Sequence, residues 1–230
     1  MSWRICDLGL NLKSSPLHSR VLDLYDALAA RKLLFRPPCY FADEWFVPED
    51  DPVIGIPFYL ADKQLRQLER KEIGEVEGHT KPYFMKLLRH EAGHAISHAF
   101  KLHRLKEYRS VFGPSQKRFS DNYRYNPLSK NYVINLKDHY AQSHPDEDFA
   151  ETFAVWLSQP EKKWLQFYKR WDALKKLKTV DRFMKAIKNK RPLIQTGEEM
   201  CHVSTLEYTL STYYKRRRAL QSKYSRVHEK

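Results

Sequence analysis

Apolar residues recur at helical spacing over most of the 230-residue chain, a few short β-rich runs lie near its front, and there are only seven glycines. Together these predict an α+β fold, mostly helical, with a small sheet. With 42% hydrophobic and 13% aromatic residues the chain can build a core, and its length suits one domain or one domain with an appendage. The first helix opens at Ser15-Pro16, a capping residue followed by proline, and carries Leu17, Val21, Leu24 and Leu28 on one stripe. Residues 33–36, 38–42 and 53–60 read as short strands parted by Pro and Asp turn signals. Leu65, Leu68 and Ile73 predict a second helix ahead of Gly74, and a long helix follows over about 81–102. Residues 113–130, rich in Pro, Asn, Ser and Tyr, read as a loop of the length that often serves function. Residues 132–136 fit one more strand, and a helix over about 145–158 begins at Pro145. Beyond it Trp164/Tyr168/Trp171/Leu174, Val180/Phe183/Met184/Ile187 and Leu206/Leu210/Tyr213/Leu220 continue at helical spacing.

Charge divides the chain. Lys and Arg number 41 against 28 Asp and Glu, a formal net charge of +13. Residues 1–160 hold 22 basic and 21 acidic side chains; residues 161–230 hold 19 and 7, so nearly all the surplus lies there. The expected organisation is a near-neutral body over 1–160 and a basic helical region over 161–230 packed on it. Trp164, Tyr168 and Trp171 lie among Lys162, Lys163, Lys169 and Arg170, and Lys215–Arg218 forms a compact basic run beside Tyr213 and Tyr214. Such a pattern can meet a polyanion, either single-stranded nucleic acid or an anionic membrane, and is more often a lysine-rich solvated face. No helix-turn-helix, zinc-finger or RNA-recognition signature accompanies it. Losing a salt-sensitive partner while keeping activity on deletion of residues 195–230 is what this division predicts. No run reaches the roughly 18–20 apolar residues of a membrane span, so no transmembrane segment is expected. The opening stretch lacks a basic-then-apolar leader pattern, and Cys6, Cys39 and Cys201 lie far apart, which fits a reducing, cytoplasmic setting.

The chemistry concentrates in His90-Glu91-Ala92-Gly93-His94, an HExxH pentapeptide inside the long helix. His90 and His94, at i and i+4, share one helical face and can reach one tetrahedral zinc ion. Glu91 is rotated about 100° from His90, which puts its carboxylate beside the open position of the metal, where it can act as base toward water. Gly93 leaves room for a second element to pack close behind. A third protein ligand is needed. Phe100 stands where the metzincin pattern requires histidine, which excludes that class. His98 lies on the same face, but three turns are too long to close around one ion. Glu147 and Glu151, at i and i+4 on the later helix, supply two carboxylates: one can ligate while the other accepts the N–H of a ligating histidine. His144, at the start of that helix, is either a turn residue or a second donor to the transition state.

The stretches LLRHEAGHAISHAF, YAQSHPDEDFAETFAVWL, FRPPCYFADEWF and VIGIPFYL resemble a bacterial family of zinc-binding metallopeptidases of gluzincin type, over most of residues 1–190. The resemblance implies a zincin-like fold, one Zn2+, and peptide or protein substrates. The tail of the motif is also similar to the catalytic domain of anthrax lethal factor, in which a tyrosine precedes the glutamate ligand by seven residues. That similarity implies Glu147 as third ligand with His90 and His94, Glu151 as the carboxylate behind a ligand histidine, and Tyr140 as donor to the oxyanion. Glu147 and Glu151 both begin an ExFA pattern used by gluzincin aminopeptidases, so both stay open as ligand. The GxMEN motif of those aminopeptidases is absent, which points to an endopeptidase. In gluzincins the strand corresponding to 53–60 is a sheet edge that pairs with substrate. Two other readings remain: a SprT-like protease of nucleic-acid-bound proteins, whose third ligand is a histidine, and a non-catalytic zinc-binding module using its basic tail for partner binding.

Overall fold

A computed structural model of the chain describes residues 1–119 and 123–228, with side chains as far as residue 221. Helix α1 (His18–Ala30) buries Val21, Leu24 and Leu28. It begins three residues after the expected cap because Ser15 closes a turn first: its Oγ accepts from Leu17 N, and its carbonyl accepts from His18 N. Strands β1 (Cys39–Ala42) and β2 (Ile54–Pro57) pair in parallel, from Cys39 opposite Ile54 to Ala42 opposite Pro57. Residues 33–36 alternate buried and exposed as a strand would, yet pair with no strand among the described residues. The run expected over 53–60 keeps β geometry only to Pro57 and then tightens into a 3-10 turn, Phe58–Leu60.

Helix α2 (Lys63–Ile73) is capped by Asp62, whose side chain accepts from Leu65 N. Helix α3 (Lys81–Ala99) is capped by Thr80 through Tyr83 N and is buried along most of its length. After the short α4 (Lys106–Val111), α5 (Pro145–Ser158) packs directly on α3. Gly93 permits this: a Cβ there would lie 2.8 Å from Ala150 Cα and 3.2 Å from its carbonyl oxygen. Residues 132–136 form no strand; the amides of Ile134 and Leu136 bond instead to the side chains of Tyr168 and of Glu151 on α5.

The last third of the chain shares one hydrophobic core with the first two. Trp164 of α6 (Glu161–Phe167), Leu177, Val180 and Phe183 of α7 (Ala173–Ile187), and Tyr213 and Tyr214 of α8 (Leu210–His228) join a cluster holding Leu24, Phe84, Ile96 and Phe153. The stripe through Trp164 and Leu174 is broken between α6 and α7, where Ala173 N bonds to Lys130 O. Leu206 is buried ahead of α8, and Leu220 is exposed. Ile5 N and Cys6 N bond to Tyr208 O and Leu206 O, so the opening residues lie against the tail. Among the described residues, no helix is long and apolar enough to cross a membrane.

Candidate metal centre

Helices α3 and α5 bring His90, His94 and Glu147 together, with one donor atom from each lying within 4.8 Å of the others. Glu147 Oε2 stands 2.9 Å from His90 Nε2 and 3.2 Å from His94 Nε2, and the two Nε2 atoms are 3.1 Å apart. Donors on a tetrahedral zinc with bonds of about 2.0–2.2 Å stand roughly 3.3 Å apart, so this triangle is close to one face of such a tetrahedron. The donor chemistry agrees: two imidazole nitrogens and one carboxylate oxygen are ordinary zinc ligands. These residues therefore fit a zinc ion.

Behind the triangle, Glu151 Oε1 lies 2.9 Å from His90 Nδ1. An imidazole that donates its Nδ1–H to Glu151 must present the Nε2 lone pair to the cluster. The two carboxylates of α5 thus face opposite nitrogens of the same ring. Glu151 in turn accepts from Asn135 Nδ2 at 2.7 Å and from Leu136 N at 2.8 Å. No motif marked these two partners. Asn135 lies within the run 132–136 that reads as a strand, and a backbone amide has no sequence signature.

Electrostatics favour positive charge here. Burial disfavours protonation of His90, but hydrogen bonds to Glu147 and Glu151 outweigh it and raise its pKa. Burial would raise that of Glu147, yet His94 and His90 pull it far below the ordinary range. Glu91, fully interior and without an ion-pair partner among the described residues, is pushed up to about 7, chiefly by burial, against the pull of His90 and His94. Tyr140 packs beside His90, with ring centroids 5.7 Å apart. Burial, then Glu147 and Glu91, raise its pKa, so its hydroxyl keeps its proton across neutral pH. A kink delivers Tyr140: Asp138 and His139 both adopt left-handed backbone (φ 54° and 49°), a conformation rare outside glycine.

Other candidates fall elsewhere. His98 Nδ1 accepts from Asp50 N at 2.8 Å, and its ring packs against His103, so it is not one of the three converging donors. His144 is a turn residue: Nδ1 accepts from Asp146 N, Nε2 donates to Lys117 O, and Phe119 stacks on the ring at 3.8 Å. With both nitrogens engaged, it has no hydrogen to offer a transition state. The outer side of strand β2 is covered at Gly55 by a single bridge to Phe46. Ile54 N bonds Pro38 O on one side while Gly55 N bonds Phe46 O on the other, and a Cβ at Gly55 would strike the Phe46 ring at 2.6 Å. Trp45, Phe46 and Val47 hold the outer position and line the cleft in its place.

That cleft has a volume of about 1070 Å³ and contains His90, Glu91, His94, Tyr140 and Glu147. Ser115, Lys117, Phe119 and Tyr123 from the 113–130 stretch also line it; residues 120–122 lie outside the described residues. Among the described residues, the basic region contributes no side chain to the lining. Several of its cations pair with acids of the body: Lys176 with Asp148, Arg182 with Glu107, Arg217 with Glu69 and Arg218 with Glu72. Lys162, Lys163, Lys169, Arg170, Lys175 and Lys178 are exposed.

Two packed helices thus carry a His–His–Glu donor set that could hold a metal ion, within a mostly helical α+β fold with a two-stranded sheet. The chain belongs to the family described as "Putative zinc-binding metallo-peptidase", whose family model matches residues 7–195. No curated protein and no solved structure matches it.

Proposed function

We propose that the chain is a zinc-dependent endopeptidase in which His90, His94 and Glu147 hold one Zn2+. The observation that carries this reading is the near-tetrahedral convergence of those three donors in a cleft they share with a buried Glu91 that has no ion-pair partner among the described residues. Zinc held there would supply Lewis acidity, polarising a peptide carbonyl and bringing the pKa of water toward about 7. Glu91, poised near neutrality, takes the proton of the attacking water and hands it to the leaving amine. Tyr140, protonated throughout, donates its hydroxyl to the oxyanion of the tetrahedral intermediate. Glu151 holds His90 in the tautomer that ligates.

The cleft slightly exceeds the roughly 300–1,000 Å³ of small-molecule sites, which supports a peptide segment as substrate. Three unpaired cysteines, Cys6, Cys39 and Cys201, support action in a reducing, cytoplasmic compartment. The decisive test is Glu91→Gln, with metal content measured beside cleavage of a peptide library. Stoichiometric zinc with hydrolysis lost is expected. Zinc retained with full activity would sink the mechanism, and a wild-type protein that binds zinc but cleaves nothing would make the site a scaffold.

A further inference from the structure

We propose that Asn135 is a positioning residue of the metal centre, acting through Glu151 on His90; this rests on the zinc-site reading above. Glu151 is an acceptor-only carboxylate, 1% exposed, and three N–H donors converge on it. His90 Nδ1 and Asn135 Nδ2 share Oε1, at 2.9 and 2.7 Å, and Leu136 N takes Oε2 at 2.8 Å. Because a carboxylate can only accept, the amide of Asn135 must present its NH2 to it. Two bonds to one oxygen and one to the other hold the carboxylate in place. Its position in turn sets the direction of the His90 ring.

The segment carrying Asn135 is itself tied down at several points. Lys86, one helical turn before His90 on α3, donates to Asn135 O at 2.9 Å. The hydroxyl oxygen of Tyr168, from the basic C-terminal region, accepts from Ile134 N at 3.1 Å. Lys130 O accepts from Ala173 N at 3.0 Å, and Lys176 lies over the Tyr132 ring at 3.9 Å while pairing with Asp148, the neighbour of Glu147. Residues 130–136 thus form a strap whose amides serve Glu151 and Tyr168 in place of a β-ladder. Through it the C-terminal region helps hold a site that none of its described residues lines. Outer partners of ligating histidines typically contribute 10–100-fold to metal affinity.

The test is zinc affinity of the full chain by competition with a chromophoric chelator, in a cycle of Asn135→Ala, Glu151→Ala and the double variant. Circular dichroism and thermal unfolding of the zinc-free proteins accompany it. Asn135→Ala should weaken zinc about tenfold in the wild-type background and have no further effect once Glu151 is alanine, because the two act as one unit. Asn135→Asp, which sets a second carboxylate against Glu151, should weaken zinc more than alanine does. Tyr168→Phe, which removes one tie of the strap and keeps the ring, should weaken it less. An equal loss in both backgrounds would make Asn135 a general structural residue and overturn the proposal, as would unchanged affinity in Asn135→Ala. Zinc binding that survives Glu147→Ala would overturn the donor set and this role with it; binding lost in Glu147→Ala but indifferent to Asn135→Ala overturns the role alone.

Discussion

Replacing Gly93 with alanine measures how far the metal centre depends on the close packing of α3 against α5. The added Cβ would meet Ala150 Cα at 2.8 Å, Ala150 O at 3.2 Å and Phe153 Cβ at 3.2 Å. Carbon atoms rest about 3.5–4.0 Å apart, so α5 must retreat by roughly 0.7 Å or more at this point. The obstacle is helix backbone, which cannot swing away as a side chain would. Overpacking of this kind costs about 1–3 kcal/mol, and alanine returns about 1 kcal/mol of helix propensity. The net loss is then about 0–2 kcal/mol, a Tm drop of a few degrees at roughly 2–4 °C per kcal/mol for a chain of this size. The site should suffer more than the fold. Glu147 lies three residues before Ala150, and His90 and His94 flank Gly93, so the retreat opens donor separations that now measure 2.9 and 3.2 Å. Metal–ligand distances tolerate about 0.2 Å, so zinc affinity should fall at least tenfold. Chelator competition and thermal unfolding of the zinc-free protein read the two effects separately. A raised Tm with unchanged zinc affinity would show that the helices do not meet at Gly93.

Other expectations follow from the same contacts. Glu147→Ala should abolish stoichiometric zinc while His98→Ala retains it; metal analysis of the purified variants decides, and the opposite outcome would favour a three-histidine site. Burial, then His94 and His103, lower the pKa of His98 to about 4, against 6.5 for an ordinary imidazole. Between these values the unfolded chain binds a proton that the folded one refuses. Stability from this group is therefore full above about pH 6.5 and lost as pH falls toward 4, by at most about 3 kcal/mol. His98→Gln should flatten that slope in denaturant titrations across the window, and an unchanged slope would contradict it. Arg217→Ala strands Glu69, whose carboxylate is almost wholly buried, and should cost about 2–4 kcal/mol, whereas Glu69→Gln should cost less. Deleting residues 195–230 removes Val203, Leu206, Leu210, Tyr213 and Tyr214 from the core and should unfold the protein, not leave an active body; circular dichroism of the truncated chain checks it.

What was legible depended on how local each cause is. Pro145 marks a helix start because its fixed φ suits the first helical position, and the i, i+4 pairs His90/His94 and Glu147/Glu151 follow from helical geometry alone. Which carboxylate faces which nitrogen depends on how two helices fifty residues apart are set, and only Gly93 hints at their closeness. Residues 33–36 and 132–136 carry strand composition, yet a strand exists only if another backbone accepts its amides. At 132–136 the acceptors are the Tyr168 hydroxyl and the Glu151 carboxylate, both beyond the reach of pattern. The charge surplus has the same lesson at larger scale. Counting places it in residues 161–230, but counting cannot see that Arg217 neutralises a buried glutamate or that Lys176 pairs with Asp148 beside Glu147. Those cations are structural partners of the body, and Tyr168 ties the strap that holds Glu151. Exposed cations such as Lys162, Lys163, Lys169, Lys178 and Lys190 are a part of the surplus left for solvent or a partner. A division of the chain by charge at residue 160 therefore runs through a single core, and the part without motifs helps shape the centre that has them.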